Sequence, residues 1–337
     1  MGTGMRVGLL GAGRIGARHA ASLAGTDGVA GLVVADADPD RAAAVARETG
    51  ARPARSVDEV FTTAGVDAVV VATPTATHAG LVGRAARAGL PVFCEKPLAP
   101  DVAGTEATLR AAAAAGTLLQ IGFQRRFDAG FLAAREALRS GALGRVHTIR
   151  CVTSDAAPPP ADFLARSGGL IHDCMIHDFD AVRWLTGREV VEVYARGSDA
   201  GGALYREAGD VDTACALLTL DDGTLVTATA TRCNGAGYDV RTELSGERDQ
   251  WVAGLAARTP VTSAEPGRST PPERPWADFL ERFADAYRAE LAAFVRAARG
   301  EAPNPCPGEE GLRALRIAVA CETSRREGRP VRLPEAA

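Results

Sequence analysis

The sequence GAGRIG at Gly11–Gly16 constrains the fold of this chain more than any other feature. It directly follows Met5–Leu10, a short apolar run with strand character, and a helical pattern comes next. A second apolar run, Gly31–Ala35, ends at Asp36, which is 20 residues after the last glycine of the turn. The order of strand, glycine turn, helix, strand and acid is the fingerprint of a dinucleotide-binding βαβ unit.

Each position of this fingerprint has a physical role. Gly11 allows a tight turn, Gly13 lets backbone N–H groups approach a pyrophosphate, and Gly16 lets helix and strand pack closely. Asp36 can accept hydrogen bonds from ribose hydroxyls and would repel a 2′-phosphate, which favours NAD over NADP. Arg41 could offset part of that repulsion. The alternatives are an ordinary glycine-rich turn and an Asp36 that serves only as a turn acid.

Composition limits the classes of protein to consider. A length of 337 residues favours two domains, and 46% hydrophobic with 24% charged residues is typical of globular proteins. The net charge of −4 offers no basic surplus for nucleic acid. No apolar run reaches the roughly 18–20 residues of a membrane span, and no signal peptide is evident. Seven scattered cysteines without a CxxC motif indicate reduced thiols. We therefore expect a cytoplasmic protein without nucleic-acid or membrane partners.

The first third alternates between predicted strands and helices, which predicts a parallel doubly wound sheet. Ligands bind such sheets beyond the carboxyl ends of the strands. Three tripeptides follow predicted strands there: Thr73–Thr75, Glu95–Pro97 and Gly122–Gln124. The predicted strands are Asp67–Ala72, Pro91–Cys94 and Thr117–Ile121, and the predicted helices are Arg14–Ala24, Arg41–Thr49, Val57–Ala64, His78–Ala88 and Asp101–Ala115.

Lys96 is the only lysine in a chain that has 37 arginines. An ammonium group is compact and mobile, whereas a guanidinium is planar and rigid, so this position indicates a need for an ammonium. Lys96 could instead be a surface residue. Pro97, which restricts the residue before it, favours a fixed geometry.

The second half contains β-rich runs and one pair of chemically suited residues. The runs are Val146–Val152, Val190–Arg196, Thr213–Leu220 and Thr224–Thr231, with a hairpin signal at Asp221–Gly223. Asp173 and His177 are four residues apart, which places them on one face of a helix. A histidine side chain ordinarily accepts protons near neutral pH. The alternatives are a structural His177 and a rival base at His172, which lies off the Asp173 face.

Several motifs together resemble those of the glucose–fructose oxidoreductase / inositol dehydrogenase (Gfo/Idh/MocA) family. Their order and spacing are most similar to the inositol 2-dehydrogenase branch. The motifs are GAGRIG at Gly11–Gly16, ATPTATH at Ala72–His78, EKP at Glu95–Pro97, GFQRRFD at Gly122–Asp128, SGGLIHDCMIHDFD at Ser167–Asp180 and GYDVR at Gly237–Arg241.

The resemblance implies an α/β fold class with two domains. Residues 1–123 would form an NAD-binding Rossmann domain with a doubly wound sheet. Residues 124–337 would form an α+β domain with a large open, mostly antiparallel sheet, which binds substrate and mediates oligomerisation. A homo-oligomer, either a dimer or a tetramer, is therefore expected. The implied reaction is NAD-dependent oxidation of a secondary alcohol of a cyclitol or sugar.

The resemblance also implies the roles of individual residues. His177 would remove the proton of the substrate hydroxyl, and Lys96 would stabilise the developing alkoxide. Asp173 would orient the His177 side chain or relay the proton. No metal site is predicted. The predicted cofactor residues are Gly11, Gly13, Arg14, Ile15, Gly16, Asp36, Arg41, Thr73, Pro74, His78, Glu95, Lys96 and Gln124. The predicted substrate residues are Lys96, Arg126, Asp155, Asp173, His177, Asp180 and Tyr238.

Departures from the family pattern keep other functions open. The branch tends to have Arg-Asp-Pro-Ala where this chain has Ser154–Ala157, and Tyr where it has Ala236. It also has a bulkier residue near Ile171-His172. An acidic pocket of Asp155, Asp173 and Asp180 would suit an aminocyclitol or amino sugar. A non-catalytic NAD-binding protein is a further alternative, and a metal-dependent hydrolase is disfavoured because HExxH is absent.

Overall fold

The computed structural model describes residues 4–62, 65–267 and 272–334. In this part of the chain, the first sheet has six strands in the order β3-β2-β1-β4-β5-β6, and all of its pairings are parallel. Its strands are β1 (Met5–Leu10), β2 (Val29–Ala35), β3 (Arg52–Pro53), β4 (Ala68–Val71), β5 (Val92–Glu95) and β6 (Leu119–Gly122). This order confirms the predicted doubly wound Rossmann sheet.

Helices alternate with these strands and cover the sheet, so strands such as β4 are buried along their whole length. They are α1 (Arg14–Ala24), α2 (Pro39–Thr49), α3 (Val57–Thr62), α4 (His78–Arg87) and α5 (Val102–Ala114). The end of the predicted Val57–Ala64 helix, residues 63 and 64, lies outside the described residues.

Helix α2 begins earlier than predicted because its N-terminus is capped. The Asp38 side chain accepts hydrogen bonds from the backbone N–H groups of Asp40 and Arg41, and Pro39 occupies the first turn. The helix ends at Gly50, whose φ of 69° is left-handed. The prediction from Arg41 missed this cap.

The second sheet has seven strands within the described ranges, in the order β12-β11-β7-β10-β9-β8-β13. Only the β7–β10 pair is parallel among these, which confirms a mostly antiparallel sheet. The elements from the second half are α6 (Ala129–Arg139), β7 (Val146–Ser154), α7 (Ala161–Leu164), α8 (Ile176–Thr186), β8 (Val190–Ser198), α9 (Ala203–Ala208), β9 (Thr213–Leu220), β10 (Leu225–Thr231), β11 (Asp239–Gly246), β12 (Gln250–Ala253), α10 (Phe279–Arg282), α11 (Ala284–Ala298), α12 (Gly308–Glu327) and β13 (Val331–Arg332).

The chain contacts divide the protein into two compact units that are not continuous in sequence. The first comprises Met1–Phe127 and Asp285–Arg313, and the second comprises Asp128–Ala284 and Ala314–Ala337. The predicted boundary at residue 123 instead places residues 285–313 in the second domain. They join the first because α11 contributes Leu291, Phe294 and Val295 to its apolar core. Among the described residues, no helix is long and apolar enough to cross a bilayer.

Candidate active site

The glycine turn of the first unit has the geometry of a phosphate cradle. Gly11 has a φ of 97°, and a Cβ there would lie 2.5 Å from the carbonyl oxygen of Ala72. A Cβ on Gly16 would overlap the carbonyl oxygen of Gly11, whereas one on Gly13 would meet nothing within 4 Å. Open space at Gly13, directly before α1, therefore fits the pyrophosphate of a dinucleotide.

Asp36 connects the end of β2 to this turn. Its Oδ2 accepts the backbone N–H of Ala12 at 2.6 Å, and its Oδ1 accepts that of Asp38 at 2.9 Å. Arg41 approaches the same carboxylate at 3.5 Å with a half-exposed side chain. Asp36 therefore accepts backbone hydrogen bonds at both turns, as a turn acid would. Its carboxylate also has lone pairs left for ribose hydroxyls, so it fits an NAD ribose as well.

The two strand ends beside the turn are linked by a histidine. His78, which is buried, has Nε2 2.7 Å from the Thr73 carbonyl oxygen and Nδ1 2.8 Å from that of Pro97. Burial lowers the pKa of His78, and the two carbonyl contacts oppose that shift. The prediction of His78 as a cofactor contact needs correction, because backbone carbonyls occupy both of its ring nitrogens.

The remaining predicted cofactor residues of this region lie near the turn or the strand ends. Arg14 and Pro74 are exposed, while Ile15 and Thr73 are half-buried. The Thr73 hydroxyl forms a hydrogen bond of 2.7 Å with the Thr77 hydroxyl.

Glu95 is the last residue of β5, and Lys96 follows it at the carboxyl edge of the same sheet. Both are partly exposed, and the Lys96–Pro97 peptide bond is cis. His19 in α1 donates from Nε2 to Oε1 of Glu95 at 2.7 Å and is fully buried. His19 is not among the site residues predicted from the sequence. Helical periodicity could have indicated that His19 is buried, because it shares one face of α1 with Gly16, Ala20 and Leu23.

Two further predicted residues near the end of β6 are buried. Gln124 is 4% exposed and lies in a 3₁₀ turn at Gln124–Phe127. Arg126 is 6% exposed, and its Nη2 donates to Oε2 of Glu310 at 2.7 Å. Arg126 was predicted as a substrate contact, and its ion pair with Glu310 inside the first unit was not predicted.

Asp173 and His177 lie in one helical segment of the second unit. A π-helical turn at Ile171–Met175 leads directly into α8. The sequence predicted a regular helix at this point. Wide turns of this kind are frequent at functional sites, and residues four apart still lie about one turn from each other.

Arg232 connects two predicted substrate residues. It is 1% exposed, and its Nη1 donates to Oδ2 of Asp173 at 2.8 Å and to Oδ2 of Asp155 at 3.3 Å. The same nitrogen lies 3.1 Å from the Cys174 sulfur. Burial disfavours the charged guanidinium, but Cys174, Asp173 and Asp155 outweigh it and raise the pKa of Arg232. Arg232 is not among the residues predicted from the sequence, although it follows β10 beside the strand that leads into Asp155.

Both acidic residues of α8, Asp178 and Asp180, are buried. Asp180 is 1% exposed, and Asp178 accepts hydrogen bonds from the Thr153 hydroxyl at 2.9–3.0 Å. Tyr238 is 6% exposed, and its backbone N–H donates to the carbonyl oxygen of Trp276. Burial therefore limits Asp180 and Tyr238 as open contacts for a substrate.

His172 belongs to different surroundings from Asp173. Burial lowers the pKa of His172, and the charged groups that act on it are Glu322, Arg326 and Asp210. These partners agree with the sequence-based interpretation that His172 lies off the Asp173 face. In the described ranges, no group of three or more His, Cys, Asp or Glu side chains could hold a metal ion.

Comparisons with known proteins assign this arrangement to a family. A family model described as "Oxidoreductase family, NAD-binding Rossmann fold" matches residues 5–123, and one described as "GFO/IDH/MocA C-terminal domain" matches residues 131–252. The chain is 42% identical to the myo-inositol dehydrogenase Hyg17 of Streptomyces leeuwenhoekii, over 96% of this chain and 98% of that protein.

Solved structures agree with these matches. A myo-inositol dehydrogenase from Corynebacterium glutamicum superposes with a TM-score of 0.90, at 35% identity over 99% of this chain and 100% of that one. A scyllo-inositol dehydrogenase from Lactobacillus casei with bound NAD(H) and scyllo-inositol has a TM-score of 0.88, at 30% identity over 98% and 99%. GenD2 from gentamicin A biosynthesis, in complex with NAD, has a TM-score of 0.86 at 25% identity over 99% and 97%. The chain therefore belongs to the Gfo/Idh/MocA family of NAD-binding oxidoreductases, as its motifs predicted.

Proposed function

We propose that this protein oxidises a ring secondary alcohol of an uncharged, inositol-type cyclitol with NAD. The observation that carries the choice of substrate is the Asp155–Arg232–Asp173 cluster, in which one buried cation lies between two carboxylates. Near-full-length similarity to inositol dehydrogenases supports the same class of substrate.

The proposed chemistry distributes three tasks over the chain's own residues. NAD supplies the hydride acceptor when it is bound. His177 accepts the proton of the substrate hydroxyl through its imidazole. Asp173, whose Oδ2 accepts a hydrogen bond from Arg232, orients the His177 imidazole or relays the proton that His177 takes up. Lys96 donates a hydrogen bond to the alcohol oxygen as negative charge develops there.

The Arg232 guanidinium weakens the attraction that two carboxylates alone would have for an amine. Two carboxylates alone would attract an ammonium group and so suit an aminocyclitol. Arg232 is 1% exposed and retains its charge, so it already offsets part of that negative potential. A substrate ammonium would also be repelled by the guanidinium. Substrate hydroxyl groups, in contrast, can donate hydrogen bonds to the partly exposed carboxylates of Asp155 and Asp173.

The alternative of an aminocyclitol or amino-sugar dehydrogenase keeps one supporting observation. The solved neighbour GenD2 is from gentamicin A biosynthesis. The residues at Ser154–Ala157 and Ala236 differ from the pattern of the inositol 2-dehydrogenase branch, which is consistent with a substrate other than the commonest inositols. A non-catalytic NAD-binding protein is less consistent with a chain that has Lys96, Asp173 and His177.

Absorbance of NADH tests these alternatives directly. The purified protein is mixed with NAD or NADP and a panel of myo-inositol, scyllo-inositol, D-glucose and an amino-substituted cyclitol. We expect turnover of an inositol with NAD, and kcat/KM at least about tenfold lower with NADP because the Asp36 carboxylate meets a 2′-phosphate. Turnover of the amino-substituted ring alone would establish the alternative. NAD binding without any turnover would favour the non-catalytic protein.

We also propose that the protein is cytoplasmic and forms a homo-oligomer through the outer face of the second sheet. All seven cysteines lie in described segments and are free thiols, as expected in a reducing compartment. A row of side chains crosses the sheet through the paired positions Tyr194–Leu217–Thr227–Arg150–Glu243. Tyr194 and Leu217 are 36% and 44% exposed. This row combines apolar groups with both signs of charge, so a second copy can complement it.

Substitution of Leu217 with aspartate tests this surface. A carboxylate buried against a second copy without a partner should weaken self-association at least about tenfold. Sedimentation velocity over a range of concentrations measures the change. Leu132→Asp is the matched control, because Leu132 is 47% exposed but lies on α6. Equal masses for wild type and Leu217→Asp would contradict the proposed surface.

A further inference from the structure

Two buried histidines hold the chain on either side of Lys96. His19 in α1 donates to the carboxylate of Glu95 at 2.7 Å. His78 at the start of α4 contacts the carbonyl oxygen of Pro97 at 2.8 Å. The residue before Lys96 and the residue after it are therefore each anchored to a different helix of the first unit.

The His19 side chain is restricted to one orientation by its neighbours. The rings of Phe93 and Tyr287 contact it edge-on, with centroids 5.4 Å and 5.7 Å away. Phe93 also lies in β5, two residues before Glu95. Because aromatic rings pack against the imidazole and no part of it is exposed, it cannot turn away from the Glu95 carboxylate.

The Glu95 carboxylate is confined from its other side by β6. Glu95 pairs with Gly122 across the two parallel strands. A Cβ on Gly122 would come within 3.0 Å of Oε2 of Glu95 and of Cζ of Phe93. The carboxylate thus occupies space that only a glycine leaves open, between the His19 ring and the backbone of β6.

Packing alone does not account for a histidine at position 19. An imidazole buried in an apolar core has a desolvation cost that an aromatic hydrocarbon of similar size would avoid. Nδ1 of His19 is buried and has no hydrogen-bond partner within the described residues. The hydrogen bond from His19 to Glu95 offsets that desolvation cost. Glu95 is the residue immediately before Lys96, the only lysine of the chain.

We infer that His19 and His78 are positioning residues that set the location of the Lys96 ammonium group. This inference rests on the role of Lys96 in the proposed function. Lysine has a flexible four-carbon stem, so the reach of its ammonium group depends on a fixed backbone at its base. Side chains locked by packing and hydrogen bonds behind a reactive group serve that purpose.

A pair of His19 variants separates the hydrogen bond from packing. His19→Phe keeps a ring and removes the donor, whereas His19→Gln keeps an N–H donor near the position of Nε2. We expect His19→Phe to lower kcat by about 10–100-fold, because misplacement of a reacting group by about 1 Å has an effect of that size. His19→Gln should recover kcat to within about fivefold of wild type, with KM for NAD little changed in both variants.

The Lys96→Ala background tests whether His19 acts through Lys96. There, His19→Phe should change kcat by less than about twofold, because no ammonium group remains to be positioned. The same fold-loss in both backgrounds would overturn the inference and leave His19 a structural residue. If Lys96→Ala itself retained full kcat, the proposed function of Lys96 would fail instead.

A spectroscopic readout tests the positioning without any turnover. Since Lys96 is the only lysine, protein labelled with ¹³Cε-lysine gives one lysine side-chain signal. We expect the chemical shift of this signal to change in His19→Phe and to stay the same in His19→Gln.

Two substitutions at His78 separate its two contacts. His78→Asn keeps an N–H donor near the position of Nδ1, towards Pro97, and His78→Gln keeps one near the position of Nε2, towards Thr73.

The His78 pair gives an independent result if His19→Phe does not fold. His78→Asn should leave the Lys96 signal in place, and His78→Gln should move it. A Lys96 signal that stays unchanged in both His19→Phe and His78→Gln would overturn the inference, whether or not the protein oxidises a cyclitol.

Discussion

Replacement of Lys96 by alanine is expected to lower kcat by about 10²–10³-fold, while the dissociation constant for NAD changes by less than about threefold. The ammonium group would act where charge develops on the alcohol oxygen, so its loss affects the transition state more than the bound ground state. The glycine turn and Asp36, which fit the dinucleotide, remain intact in this variant. NADH absorbance and titration with NAD measure the two quantities.

Lys96→Arg is the control for charge. It retains a positive group but replaces a compact ammonium with a planar guanidinium, and the chain already uses arginine at 37 other positions. We expect it to recover less than about a tenth of the lost rate. Full activity in Lys96→Arg would show that any cation suffices. A large loss of NAD binding in Lys96→Ala would assign Lys96 to the cofactor instead.

Local sequence patterns predicted much of the fold correctly. Helix α1 and strand β9 have the predicted bounds, Arg14–Ala24 and Thr213–Leu220. The glycine turn also has the predicted geometry, with left-handed Gly11 and open space at Gly13. In each case the signal lies within a few residues: apolar periodicity, or a position that only glycine can occupy.

The site was less predictable because its contacts join residues that are distant in sequence. Arg126 and its partner Glu310 are 184 residues apart, and Arg232 is 59 residues from Asp173. Residues 285–313 join the first unit through a core that a local pattern does not reveal. Periodicity indicates that a side chain is buried, but it does not indicate which charged group lies opposite.

His177→Ala is expected to lower kcat by about 10²–10⁴-fold at neutral pH, the range typical for loss of a general base. The residual rate should rise as pH increases, because solvent hydroxide replaces the missing imidazole. Steady-state rates with saturating NAD and substrate between about pH 6 and pH 10 measure both effects. The dissociation constant for NAD should stay within about threefold of wild type, since His177 belongs to the second unit and the glycine turn to the first.

His172→Ala is the matched control for this prediction. Both histidines belong to one helical segment that begins at Ile171, but Glu322, Arg326 and Asp210 are the charged groups that act on His172. We therefore expect His172→Ala to retain kcat within about threefold, with an unchanged pH profile. A larger loss in His172→Ala than in His177→Ala would make His172 the base. A normal neutral-pH rate in His177→Ala would rule out His177, because the proton of the hydroxyl would then leave by another route.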